Sequence, residues 1–431
     1  VPLRERFGDA PTALATVAIA FGLAGTAAFA LNLVVGARPP LLERYFGGLD
    51  KLYRTHQTIG RSAFILLLLH VALMLASRAA VSLDAALGLL TGAAGMTVTL
   101  GLVAFALMTV AISLTLFARL NHEVFVFVQR SFGFIFLLAA IHVFRSPTAK
   151  GASDLLTWYL AILSVAGVAA FAYRSLFGSS FVHRYDYEVT DVKLLGESVT
   201  QITMRPTTQR LSFTPGQFVF VKFPRSAFDP AGRAMSRAAE GAYEVVTLDP
   251  GAIENQFHPF SIASSPDERD LRIVVKAIGD YTTRLRKLQV GAPAKVEGPY
   301  GALSYLRVPN PKQVWISGGI GITPFLSMAK SLDPASYEVD FFFATESREA
   351  DFFSEELGAL ADRDPRFRII PIHSDRLGFL TADDVAAVTP DVRERDILLC
   401  GPPPMMAAMR EQFVALGVPQ RQIHFEEFRF K

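Results

Sequence analysis

The sequence predicts a membrane α-helical bundle of five spans, followed by a β-barrel and then an α/β Rossmann-like domain. Three observations carry that expectation. Residues 13–37 and 93–117 each run 25 residues without a charge, enough to cross a bilayer. From about residue 178 the hydropathy falls, and short β-branched and aromatic runs alternate with Gly, Pro and Asp. Beyond residue 308, strand, turn and helix patterns alternate in the order that builds a parallel sheet. The expected domains are therefore 1–178, 179–308 and 309–431.

Residues 59–77, 131–144 and 155–173 supply the other three spans, the fourth reaching full length through the polar residues before it. The connection 38–61 carries Arg38, Arg44, Lys51, Arg54 and Arg61, whereas 76–92 carries only Arg78. The positive-inside rule puts 38–61 and everything after the last span on the cytoplasmic face, with Val1 outside. The only cysteine, Cys400, excludes an intrachain disulfide framework and suits a reducing compartment. A net charge of +2 without a basic cluster argues against nucleic acid as a partner; membrane lipid is the expected surrounding. No signal peptide is visible, and the first residue is not Met, so a trimmed start is expected.

"HQTIGRSAFILLLLH" places His56 and His70 fourteen positions apart within a span. On a helix the two share a face, about 21 Å apart along the axis. Ionisable groups inside a span are functional candidates, although a hydrogen bond to a neighbouring helix is an equally ordinary use. Metal ligation by haem needs a second axial ligand from a facing helix. In "HEVFVFVQRSFGFIFLLAAIH" His142 lies toward the outer end, at the level of His70.

The soluble half begins with β-rich runs such as "YEVTDVKLL", "VTQITMRP" and "QFVFVKFP". Within it "HPFSIASSP" (258–266) reads as a strand end and turn, and "GDYTTRLRKL" as a turn opening a helix. Free amides there, with Thr282 and Thr283, would suit a pyrophosphate. "QVWISGGIGITPFLSMAKSL" is a buried strand, a Gly-rich turn and a helix. Gly318, Gly319 and Gly321 are expected to let backbone approach a dinucleotide, and Thr323 and Pro324 to start the helix. "DILLCGPPPM" supplies a further strand ending at Cys400, Gly401 and Pro402; alone, Cys400 reads equally as a small buried residue. Arg348 and Arg376 are candidates for a nucleotide 2′-phosphate, opposed by Glu346 nearby, or else surface arginines. His183, His373 and His424 fit no constellation, and 225–256 is a long excursion without an account.

Together these motifs resemble the NADPH oxidase and ferric reductase superfamily, joined to a ferredoxin-NADP reductase-like dehydrogenase. The resemblance implies two b-type haems between two helices that each supply two histidines, spaced 14 and 13. His56, His70 and His142 match three ligands; thirteen residues before His142 this sequence has Gln129, which is a poor haem ligand. His122 overshoots that level. The resemblance thus implies an outer haem b on His70 and His142 and a doubtful inner one at His56 and Gln129, which Gln129→His is expected to restore. It places His258, Pro259, Phe260 and Ser261 along the isoalloxazine and ribityl part of FAD, and Gly279, Asp280, Tyr281 and Thr282 at its phosphates. It puts Cys400, Gly401 and Pro402 beside the nicotinamide, and it makes Phe428, with Phe430 second, the terminal aromatic over the flavin. The family's usual six spans imply a further helix before residue 13.

The implied activity is that of a flavocytochrome b in a bacterial inner membrane. Cytosolic NADPH, or NADH, would reduce FAD, and haem would pass electrons to an acceptor on the other face. The expected acceptor is O2, giving superoxide; a ferric chelate is the alternative. A reading from another class keeps the reductase but makes the membrane half an anchor without working haem, the reductase serving a protein partner.

Overall fold

Helix α1 (Ala10–Gly36) begins where Asp9 accepts the Thr12 amide at 2.8 Å and Pro11 occupies the first turn. The remaining long membrane helices are α2 (Leu49–Ala79), α3 (Met96–Phe117), α4 (His122–Arg145) and α5 (Asp154–Phe171). Among the described residues, five helices are long and apolar enough to cross a bilayer. The computed structural model describes residues 7–46, 48–118, 122–146, 154–176, 183–224, 227–228 and 256–426. Two compact units divide the chain, Val1–Val182 and His183–Lys431.

In the first unit α1 packs chiefly on α2, and α3 on α4. Gly25 makes the first of these contacts close: a Cβ there would lie 2.8 Å from Leu67 Cγ. Phe29, Phe132 and Phe136 join α1 to α4 edge-to-face, with centroids 6.3 and 5.2 Å from Phe29. Helices α2 and α4 start about ten residues before the apolar runs that mark them. Their first turns are polar and helical, which hydropathy alone does not register.

In the second unit six strands form an antiparallel sheet. They are β1 (Arg184–Leu195), β2 (Val199–Pro206), β3 (Phe218–Lys222), β4 (His258–Ser261), β5 (Leu271–Lys276) and β6 (Pro293–Tyr300), in the spatial order β4-β3-β6-β1-β2-β5. Alternate residues such as Val189, Ile202, Met204, Val221, Ile273 and Val296 point to one core. A five-stranded parallel sheet follows, of β7 (Lys312–Gly318), β8 (Glu338–Thr345), β9 (Phe367–His373), β10 (Asp396–Cys400) and β11 (Ile423–Phe425), ordered β11-β10-β7-β8-β9. Separate apolar clusters cover its two faces, with Trp315 and Phe341 in one and Ile316 and Phe342 in the other.

A polar contact joins these two layers. Arg272 on β5 pairs with Glu356 on the helix Ser354–Ala361 at 2.7 Å, and Lys330 reaches both Glu356 at 2.9 Å and Glu268 at 3.0 Å. Burial raises the Glu356 carboxyl, but Arg272 and Lys330 outweigh it and hold the group below the usual carboxylate range.

Candidate cofactor sites

His70 and His142 come together across α2 and α4, their ring centroids 6.5 Å apart. Nδ1 of His70 lies 2.8 Å from the carbonyl oxygen of Ala18 on α1, and Nδ1 of His142 lies 2.7 Å from that of Thr97 on α3. A carbonyl only accepts, so each Nδ1 carries the proton and each Nε2 keeps a free lone pair, the form that ligates a metal. Both imidazoles line a cavity of ≈ 300 Å³ with Phe29, Met108 and Arg78. Glycines make room for them: a Cβ on Gly22 or on Gly101 would sit 2.7 Å from Nδ1 of the facing imidazole.

His56 has the same kind of support, with Nδ1 3.1 Å from the carbonyl oxygen of Asn32 and Gly36 against the ring. Gln129 is exposed, and the buried residue at that level of α4 is Val128.

In the second unit His258 and Pro259 pair with Val221 and Phe220 of β3, and Phe260 and Ser261 continue the ladder. The 258–261 and 279–282 motifs meet: the His258 ring stacks on that of Tyr281, centroids 3.6 Å apart and planes 20° apart. Tyr281 Oη is buried without a hydrogen-bond partner, and burial pushes its phenol far up. Gly279 has extended backbone at φ −136°, and a Cβ there would meet nothing within 4 Å. Neither conformation nor packing among the described residues calls for glycine there. One expectation needs correcting. The hydroxyl of Thr282 accepts the amides of Ile278 and Gly279, both at 3.0 Å, so free amides begin only at Asp280.

The Gly-rich turn packs closely on its neighbours. A Cβ on Gly321 would lie 2.3 Å from the carbonyl oxygen of Cys400, and one on Gly318 would lie 2.4 Å from Met405 Sδ. These two glycines let the turn before Thr323 and Pro324 pack on the Cys400–Gly401–Pro402 strand end. Only Gly319, at φ +54°, opens onto free space.

Cys400 is buried at the end of β10, and burial, then the charge of Glu426, raises its thiol. Glu426 is itself buried and accepts the Ala302 amide at 3.3 Å, against the "GPYG" turn. Reasoning from sequence passed over this carboxylate, and the repeated acid in "HFEEF" was its only signal. Arg348 and Arg376 are both exposed, just beyond the ends of the adjacent strands β8 and β9. The side chain of Ser347 and its own backbone, then Arg376 and Arg348, lower the Glu349 carboxyl beside them. His373 bonds Thr345 Oγ1 at 3.0 Å, and His424 bonds Asp396 at 2.7 Å. Phe428, Phe430 and nearly all of 225–256 lie outside the described residues.

Three family matches fall on this architecture. Residues 21–140 match a ferric reductase like transmembrane component, 233–304 an FAD-binding domain, and 315–411 an oxidoreductase NAD-binding domain. The chain belongs to the NADPH oxidase and ferric reductase superfamily, its membrane component joined to a ferredoxin-NADP reductase-like half. It is an integral membrane protein. The FAD-binding match begins inside the stretch expected to be an excursion.

NADH-cytochrome b5 reductase 1 of Aspergillus terreus is 31% identical over 206 residues, 44% of this chain and 67% of that one. Flavohemoprotein A of Dictyostelium discoideum is 25% identical over 231 residues, 50% of this chain and 53% of that one. The chain thus spans between half and two thirds of the length of these curated relatives. Among solved structures, a flavohemoglobin of Malassezia yamatoensis matches at 18% identity and a TM-score of 0.47, covering 76% of this chain and 85% of that one.

Proposed function

We propose that the protein is a transmembrane flavocytochrome b. It would pass electrons from cytosolic NAD(P)H through FAD and haem to an acceptor on the opposite face of a bacterial inner membrane. The observation that carries this reading is the His70–His142 pair. Two imidazole nitrogens each about 2 Å from one metal put the ring centroids about 6 Å apart, close to the separation seen. Both Nδ1 atoms are engaged by carbonyls, so both Nε2 lone pairs are available to iron.

When bound, flavin takes electrons from NAD(P)H as a hydride pair and releases them singly, and haem iron carries them one at a time. The residues of the chain bind and orient these groups. His70 and His142 would hold the iron, and Gly22 and Gly101 would give their rings room. Tyr281, stacked on His258, would fix one wall of the flavin site, and its unpartnered hydroxyl offers a donor inside that wall. Gly279 would admit the phosphates, which the amides from Asp280 to Thr282 then meet. Gly319, with Thr323, Pro324, Gly401 and Pro402, would take the dinucleotide backbone, and Cys400 would stand beside the nicotinamide. Arg348 and Arg376 would favour NADPH by pairing with its 2′-phosphate. Phe428 would cover the flavin until nicotinamide displaces it.

For the acceptor we favour O2, each molecule taking one electron to give superoxide, since it needs only access to the outer site. The ferric reductase match supports a ferric chelate as the second reading. The sidedness rests on the basic residues of 38–61.

The test is spectroscopic. Detergent-purified protein should show a low-spin bis-imidazole haem signal, which His70→Ala or His142→Ala should abolish while FAD stays bound. Protein with flavin but without any haem band would overturn this reading and leave a membrane-anchored flavin reductase serving a protein partner. Superoxide-dependent dye reduction against ferrous-chelate formation, measured with NADPH, then separates the acceptors.

A further inference from the structure

The loop 263–268 continues directly from "HPFSI" (258–262), and the helix Thr323–Ser331 continues directly from the Gly-rich turn. The two continuations meet. One apolar cluster holds Val199, Ala263 and Val274 of the barrel with Phe325, Leu326 and Met328 of that helix. Apolar burial is non-directional, so it holds two layers together without fixing how they slide on each other.

Directional bonds fix that. Ser327, Lys330 and Ser331 stand at i, i+3 and i+4 and share one face of the helix. Ser327, which is buried, donates from Oγ to the Ser264 carbonyl at 2.7 Å. Ser331 Oγ lies 3.2 Å from Ser265 Oγ, and Lys330 pairs with Glu268 at 3.0 Å and with Glu356 at 2.9 Å. Arg272 completes the set from β5. Its guanidinium donates to the Ala263 carbonyl at 3.1 Å and to the two Glu356 oxygens at 2.7 and 3.1 Å. Its amide donates to Ser264 Oγ at 3.0 Å. The side chains of Arg272 and Lys330 are only 12% and 18% exposed, so salt and water screen these pairs less than surface ones.

We infer that this rail of bonds positions the nicotinamide against the flavin. Ser327 and Lys330, with Glu356 and Arg272, are positioning residues: they act on hydride transfer through the two motifs that they join. The inference rests on placing flavin at 258–261 and the dinucleotide at the Gly-rich turn, as proposed above.

The test is anaerobic stopped-flow reduction of the flavin by saturating NADPH in purified full-length protein, with FAD content and unfolding temperature measured alongside. This step does not pass through haem, so its outcome is independent of the haem reading. A misplacement of about 1 Å between reacting groups can slow a reaction about 100-fold. Lys330→Met keeps the apolar stem and removes both ion pairs; it should slow flavin reduction roughly tenfold, with half-saturating NADPH changed less than about twofold. FAD content should stay unchanged, and the charge-transfer absorbance of nicotinamide stacked on flavin should weaken. Ser327→Ala should act alike, and Lys330→Arg should recover the rate to within about threefold. An undiminished rate with a lowered unfolding temperature makes the rail a structural contact only and overturns the inference. A raised half-saturating NADPH at an unchanged rate overturns it too. Unmodified protein that holds no flavin, or flavin that neither NADPH nor NADH reduces, overturns the proposed function instead.

Discussion

Replacing Gly101 with alanine sets a methyl carbon 2.7 Å from Nδ1 and 2.8 Å from Cε1 of His142. Such contacts are ordinary only beyond about 3.4 Å, so the ring must retreat by about 1 Å. Its Nδ1 bond to the Thr97 carbonyl, 2.7 Å long, then passes out of hydrogen-bonding reach. That bond contributes about 1 kcal/mol net. The larger effect falls on the ligand: supporting hydrogen bonds of metal-bound histidines typically change affinity 10- to 100-fold, about 1.4–2.7 kcal/mol. We therefore expect Gly101→Ala to release haem at least about tenfold more readily to an excess of a haem-scavenging apoprotein, followed by absorbance. Gly22→Ala should act alike through His70, where the new carbon would also lie 2.7 Å from Nδ1. Gly88→Ala is the control, since its nearest neighbour would be Ala93 Cβ at 4.0 Å. Haem retention within twofold of the unmodified protein in both Gly101→Ala and Gly22→Ala would refute the argument that these glycines seat the ligands.

Three further outcomes are expected in the soluble half. Gly279→Val should lower the FAD-to-protein ratio without unfolding the unit, because its side chain enters space that the protein leaves open; full flavin occupancy would place the phosphates elsewhere. Arg348→Ala with Arg376→Ala should raise KM for NADPH roughly tenfold and leave that for NADH nearly unchanged, as loss of charge-assisted phosphate contacts does; equal effects on both would assign the arginines to the surface. Glu356 has its folded pKa depressed, so its ion pairs stabilise above the unfolded value of about 4.3 and are lost as pH falls through the folded value. Glu356→Gln should therefore lower the unfolding temperature at pH 7 and narrow its gap to the unmodified protein in acid. A gap that stays constant from pH 7 to about 3.5 would show that Arg272 and Lys330 gain nothing from the charge.

What the sequence revealed, and what it hid, divides along a physical line. Motifs whose chemistry sits in consecutive residues were readable: "HPFS" and "GDYT" were expected at one site, and the stacking of His258 on Tyr281 brings them there. The parallel order around Cys400 followed from alternating strands and helices. Glu426 was missed because its burial depends on a turn 124 residues earlier in the chain. Gly318 and Gly321 were read toward a ligand; a Cβ on Gly321 would meet the Cys400 carbonyl, and one on Gly318 the Met405 sulfur. A glycine records only that something comes close, and the sequence does not say what.

The membrane unit permits a finer distinction. Counting back 13 residues from His142 reaches Gln129 by family pattern, and that side chain is exposed while its neighbour Val128 is buried. The supporting helix held the missing signal: Gly22 and Gly36 repeat the 14-residue step of His56 and His70. A histidine buried in a span has to place its Nδ1 proton, and the nearest acceptor is a carbonyl whose helix must come unusually close. Glycines on a supporting helix, in step with histidines on its neighbour, are therefore a readable sign of ligand-ready imidazoles. By that criterion α1 provides for His56 and His70, and α3 for His142.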